Sequence, residues 1–203
     1  MKTLTKTLFA AALTAVVFTS SAMTTFAAEP VVAEASAISL TTINKIWVSG
    51  NVKVVLTQGD KQSVVGADNF DAKETSVLSK GQTLYINSTA SGQVTLNITL
   101  KDLQRVEANG QSVVVTSNNF DVKCLQLFVN QSATVKVKTT AGSLYTVVKD
   151  DAVLKLNGTA DQSTMVAANV KNLRVADFAS LKSEQYASEA IMEAAVSISR
   201  LSK

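Results

Sequence analysis

The 203-residue chain has no histidine and only one cysteine, one proline and one tryptophan. Without histidine there is no Ser-His-Asp or Cys-His arrangement for nucleophilic hydrolysis, and a zinc site would lack its usual nitrogen ligands. The eight glycines are scattered and build no phosphate-cradling loop, which argues against a nucleotide-dependent enzyme. Cys124 has no partner for an intramolecular disulfide. It opens a strand-like block between Val122 and Leu125, so a buried structural thiol is expected, with intermolecular pairing or redox chemistry as the alternatives. Aromatic residues make up 5% of the chain, and no sugar-stacking stripe is evident. Tyr145 and Tyr186 stand at different repeat positions, and Phe128 reads as core.

The N-terminus carries a secretory pattern. Lys2 and Lys6 precede an apolar stretch from Leu8 to Phe18, and small residues follow, with cleavage expected after Ala27 or Ala22. The stretch is short for a membrane span. The expected organisation is a signal peptide over 1–27, a leader over 28–42 containing the only proline, and a single domain over 43–203. The mature protein is then exported, to the periplasm, the cell surface or the medium, with no transmembrane segment. Removing Lys2 and Lys6 takes the balance from 19 to 17 cations against 16 carboxylates. A net charge that small gives no warrant for nucleic-acid binding.

What the chain has in abundance is short apolar alternation, rich in Val, Thr and Ile, from Ile43 onward. In the C-terminal half the alternation recurs in five blocks, starting at Asp102, Cys124, Ser143, Gln162 and Ser183 and so about twenty residues apart. The clearest columns pair Val113 with Val115, Val135 with Val137, Leu154 with Leu156, Leu173 with Val175, and Ala194 with Val196. Residues two apart on a strand share a face, so each pair is expected inside. Stacked coils explain the recurrence and a sandwich does not, so the expected fold is an all-β, right-handed parallel β-helix (a β-solenoid) with coils of roughly twenty residues. Ile43 to Leu56, with Trp47, is expected to cap or begin one end. For Glu184 to Ala195 an amphipathic helix is the rival reading, since Ala, Glu and Met favour helix.

The segment Trp47 to Val65 resembles the opening of the head GIN domain, a family described as head domains of auto-transporter adhesins. The matching residues are Gly50, Val52, Val54, Leu56, Thr57, Gln58, Gly59 and Asp60. The resemblance extends to about Ile198 and implies β-helical repeats in an exported bacterial envelope protein. Family repeats carry a small Ser-Gly-Ala-Ser-like turn, whose place is taken here by Asn109-Gly110, Gln131-Ser132-Ala133 and Asp150-Asp151-Ala152.

Few residues read as sites. Asp150-Asp151 is the only adjacent acidic pair, and no repeating Asp and Gly pattern supports calcium; a turn using Asp for local hydrogen bonds is the expectation. No second acid stacks on the pair as glycoside hydrolysis would need. Asn87, Asn97, Asn130 and Asn157 begin Asn-x-Ser/Thr triplets, which chance produces in a Thr-rich chain. The outward position between the apolar pairs carries Lys136, Lys155 and Arg174 on successive turns. Such a row is either a solvated face or a contact ladder for an acidic polysaccharide or lipopolysaccharide head group. The expectation is a non-catalytic envelope binding or adhesion module with no catalytic residue, metal or cofactor, whose partner is a polysaccharide or an envelope protein. Self-association through solenoid ends, a carbohydrate-active enzyme on the same scaffold, and a structural or assembly component of the envelope are the alternatives.

Overall fold

The computed structural model describes residues 42–201; the expected signal peptide and all but the last residue of the leader lie outside the described residues. The described residues form twelve strands: β1 (Lys45–Gly50), β2 (Val52–Gln58), β3 (Ser63–Gly66), β4 (Thr75–Lys80), β5 (Thr83–Ser88), β6 (Val94–Leu100), β7 (Arg105–Ala108), β8 (Val113–Thr116), β9 (Phe120–Val129), β10 (Thr134–Val148), β11 (Val153–Ala167) and β12 (Leu173–Tyr186). A short 3-10 turn (Val170–Asn172) precedes β12, and helix α1 (Glu189–Leu201) follows it.

All twelve strands belong to one sheet, and the long strand β10 is its seam. The first leg of β10, Thr134 to Lys136, pairs with β8, and its second leg, Thr139 to Val148, pairs with β9. One wing therefore runs β8-β2-β6-β3 and the other β9-β7-β1-β5-β4. On its other side β10 pairs along its length with β11, which pairs with β12. The two wings turn their apolar sides toward a shared core. Alternation does this directly: Val52, Val54 and Leu56 are buried in β2 while Lys53 and Val55 are half-buried, and Val135 and Val137 are buried while Lys136 and Lys138 are exposed. Each such Leu, Ile or Val contributes ~1.5–3 kcal/mol by leaving water.

The all-β class holds, but the solenoid does not. The sheet is mixed and half-barrel-like, because β3 runs antiparallel to β6 and β4 antiparallel to β5. The two-residue link Gly81-Gln82, with Gly81 at φ +59°, makes β4 and β5 a hairpin. Lys45 pairs with Thr83, and Val52 with Val94, far outside a twenty-residue spacing. The physical reason is that period-two alternation fixes which face is buried but not the direction or identity of the neighbouring strand.

Three local expectations fail with it. In β8 the buried residue is Val114, not Val113 and Val115, because Val114 pairs with Val135. The fifth block is no coil: β12 ends at Tyr186, and α1 occupies Glu189–Leu201, as the rival reading had it from Glu189 onward. The Ile43 to Leu56 segment caps nothing, since β1 lies between β5 and β7, and β2 between β6 and β8.

The crossings between wings need special backbone. Gly50, at φ +88°, ends β1 just before β2, and a Cβ there would collide with the Ser88 carbonyl oxygen. Gly110, Gln131 and Asp150 adopt positive φ in later turns. Side chains join these turns: Gly110 N donates to Gln131 Oε1 (2.5 Å), Gln131 N to Asp150 Oδ2 (3.0 Å), and Asn130 Nδ2 to Asn109 Oδ1 (2.9 Å). The Asp150 carboxylate therefore accepts from a turn nineteen residues earlier and not from its own turn, as the expectation of a local bond had it.

Candidate functional site

Two surfaces stand out, one on each leg of β10. On the first leg, Lys136, Lys155 and Arg174 stand directly opposite one another on β10, β11 and β12, all three exposed. Neighbouring strands lie ~4.8 Å apart, so three positive charges are held in a line. Lys138, two residues along, is also exposed and stands opposite Asn157. Lys136, Lys138 and Lys155 line a shallow hollow of about 270 Å³. Among the described residues the one ion pair joins Lys149 to Glu189, so none of these four cations has a carboxylate partner. Like charges placed opposite each other cost a few tenths to ~1 kcal/mol, which an anion between them would relieve.

The second leg carries different chemistry. Register runs Leu78, Tyr85, Trp47, Glu107, Phe128, Val147 across β4, β5, β1, β7, β9 and β10. Two residues earlier on β5, β1, β7, β9 and β10 lie Thr83, Lys45, Arg105, Gln126 and Tyr145, on the same face. The Trp47 and Tyr85 rings are 6.0 Å apart, and Phe128 meets Tyr145 edge-on at 6.0 Å. The Arg105 guanidinium lies 5.0 Å over the Phe128 ring and donates from Nε and Nη2 to Gln126 Oε1 (2.9 and 2.7 Å). Trp47 Nε1 donates to Glu107 Oε1 at 3.2 Å. At the foot of this face a groove of about 700 Å³ is lined by Lys45, Asp102, Arg105, Asp121, Lys123 and Gln126, among others.

Helix α1 bounds this face beyond β10. Lys149 Nζ lies 2.6 Å from Glu189 Oε2, and that bond raises the Lys149 pKa above its ordinary value. Burial, and then the nearby Glu189 charge, push the Tyr145 hydroxyl up as well. Tyr186 donates to Glu184 Oε2 at 3.0 Å, which raises its pKa.

The sequence-predicted residues are distributed unevenly between these surfaces. Lys136, Lys155 and Arg174 come together. Cys124 is exposed and lines the groove, contrary to the expected buried thiol, because β9 and β10 turn a corner at Lys123-Cys124 and Gly142-Ser143 that brings Lys123, Cys124 and Ser143 outward. Phe128 is half-buried on the outer face and not in the core, since Leu127 and Val129 take the inward positions. Tyr145 joins the aromatic row through β10, whereas Tyr186 sits on the edge strand β12. Of the triplet asparagines, Asn87 and Asn97 are exposed, while Asn130 is tied to Asn109 and Asn157 is half-buried.

Trp47, Tyr85, Arg105 and Gln126 were missed. Only the alternation within each strand hinted that Trp47 and Arg105 face outward; that β1, β5 and β7 are neighbours is invisible to a repeat register. Among the described residues no cluster of three or more cysteine or carboxylate side chains is placed to hold a metal ion, and no helix is long and apolar enough to cross a membrane.

This fold is one seen before. The chain belongs to the family described as "Putative auto-transporter adhesin, head GIN domain", whose model matches residues 42–188 and so stops just short of α1. Among solved structures, it is similar to a "putative adhesin" of Bacteroides fragilis, at 18% identity and a TM-score of 0.61 over 73% of this chain and 72% of the other. A "putative adhesin" and a "putative lipid binding protein" of Parabacteroides distasonis each share 15% identity over 73% of this chain and 75% of theirs, with TM-scores of 0.52 and 0.51. These likenesses establish a shared fold. Comparison with curated protein sequences finds no match.

Proposed function

We propose that the protein is an exported, envelope-associated binding or adhesion module that acts by contact and not by catalysis, and that its cationic row holds an acidic polysaccharide. The observation that carries this reading is the line of Lys136, Lys155 and Arg174, three exposed cations in register without a counter-ion among the described residues. A polymer bearing a carboxylate on each sugar offers a matching line of negative charge, and strand spacing sets the pitch. Membership of an adhesin-head family supports the binding role, as do the names of the structural relatives.

The test is binding of the full chain to immobilised polygalacturonate, with dextran as the neutral control. Replacing Lys136, Lys155 and Arg174 together by Gln should weaken binding about tenfold or more, and wild-type binding should fall steeply with added salt. Equal binding by wild type and the triple variant would sink the assignment. Protease shaving of intact cells then decides between the cell surface and the periplasm; full protection would rule out direct adhesion. A second reading, assembly with another envelope protein, is favoured by one feature. Strand β12 pairs only with β11 and offers a fourteen-residue free edge among the described residues.

A further inference from the structure

We infer that the face carrying Tyr85, Trp47, Phe128 and Tyr145, together with the groove at its foot, is a second binding site, built for a neutral pyranose chain. The argument starts from where these side chains point. A sheet face with no ligand to meet is normally polar, yet here four aromatic rings lie on the outward side of β5, β1, β9 and β10. Tyr85 is 38% exposed and its row neighbour Leu78 is 59% exposed, so the apolar face is open at its β4–β5 end, and Glu107 interrupts it between Trp47 and Phe128. From β5 to β10 the row crosses four strand spacings, or about 19 Å. That is the length of an oligosaccharide and not of a single sugar.

The polar groups are placed as sugar hydroxyls require. Aromatic bodies cover the C–H faces of pyranose rings, while a few fixed donors and acceptors orient the hydroxyls at the edges. Glu107 lies in register between Trp47 and Phe128, with one oxygen accepting from the indole. Gln126 accepts both Arg105 bonds through Oε1, which holds its amide in one orientation and leaves Nε2 without a hydrogen-bond partner among the described residues. A locked side chain of this kind loses little freedom when a hydroxyl arrives. The groove adds Asp102 and Asp121 against Lys45, Arg105 and Lys123. This near-balance of charge distinguishes it from the cationic row and selects a ligand without net charge.

The chain provides its own reporter, because Trp47 is its only tryptophan. Emission from the full chain would be followed during titration with cellohexaose, mannohexaose, chitohexaose and maltohexaose, with calorimetry in parallel. At least one should give a saturable change in Trp47 emission. Tyr85→Ala, at an exposed position where misfolding is not expected, and Gln126→Ala should each weaken that binding about fivefold to tenfold. The Lys136, Lys155 and Arg174 triple variant should bind the hexasaccharide as wild type does, which separates this site from the cationic row. The inference is overturned if none of the four sugars produces an emission change or binding heat, or if Tyr85→Ala and Gln126→Ala both bind unchanged.

Discussion

Gly158 shows how much a single residue can be asked to do in this fold. It lies in mid-β11 at φ +110°, opposite Thr139, and a Cβ there would run into the Thr139 carbonyl oxygen. β10 is bending at the same level, from the leg that pairs with β8 to the leg that pairs with β9. Thr139 is itself buried, its hydroxyl donating to the Phe120 carbonyl at 2.8 Å. Gly158→Ala therefore combines a disfavoured backbone conformation with a backbone collision, and should destabilise the fold by about 2–4 kcal/mol. Urea denaturation of the two proteins checks this; a midpoint unchanged by the substitution would show that the bend does not depend on glycine. Alanine at Gly81, where a Cβ meets nothing, carries only the conformational cost and should lose about 1 kcal/mol. Nothing in the sequence separates these two glycines, because the obstruction at Gly158 comes from a strand nineteen residues earlier.

At the scale of elements, the sequence was readable wherever pairing is local. Strands β10, β11 and β12 stack with the offset that the repeat predicts as far as Arg174, and Lys136, Lys155 and Arg174 align because of it; past a register shift after Lys155, Gln162 meets Lys182 and not Ser183. The register failed where neighbours are remote, as for Lys45 beside Arg105, and where an antiparallel return replaces a stacked coil. It also failed at α1, where Ala, Glu and Met at the chain end outweigh a weak column match. Helix α1 is tied to the residue that follows β10 by the Lys149–Glu189 pair, whose side chains are 53% and 42% exposed. Such a pair contributes at most ~1 kcal/mol. Its pH dependence has a definite sign. Lys149 has its folded pKa raised above 10.5, so its contribution is complete below 10.5 and is lost as pH climbs through the raised value. Tyr145, raised above 10.0 by burial, keeps a proton that the unfolded chain gives up, and this too lowers stability above pH 10. With no histidine present, thermal stability should be nearly flat from pH 6 to 9 and fall beyond 10. Glu189→Gln should melt slightly below wild type at pH 9, and the gap should close as pH climbs past the raised Lys149 pKa; a gap that persists once Lys149 is neutral would mean Glu189 acts through something other than Lys149.

At the scale of the whole molecule, the two proposed binding surfaces are far apart in chemistry but share one support. The cationic row sits on the first leg of β10 and its continuations, and the aromatic row ends on the second leg, so a single strand positions both. Beneath them the core is continuous from Ile46 and Leu84 in one wing, through Val135 and Leu154, to Val54 and Leu96 in the other. Neither wing buries its apolar side without the rest, so the wings should not unfold separately. Trp47 reports on the β1 wing alone, while backbone circular dichroism reports on every strand. In a urea titration the two signals should therefore give coincident transitions with one midpoint. Leu154→Ala, which empties the centre of that core, should lower the stability read by both probes equally, by about 2–5 kcal/mol. Separated midpoints, or a Trp47 transition that Leu154→Ala leaves in place, would instead mean that the β1 wing folds on its own and that the aromatic face could be cut free of the cationic one.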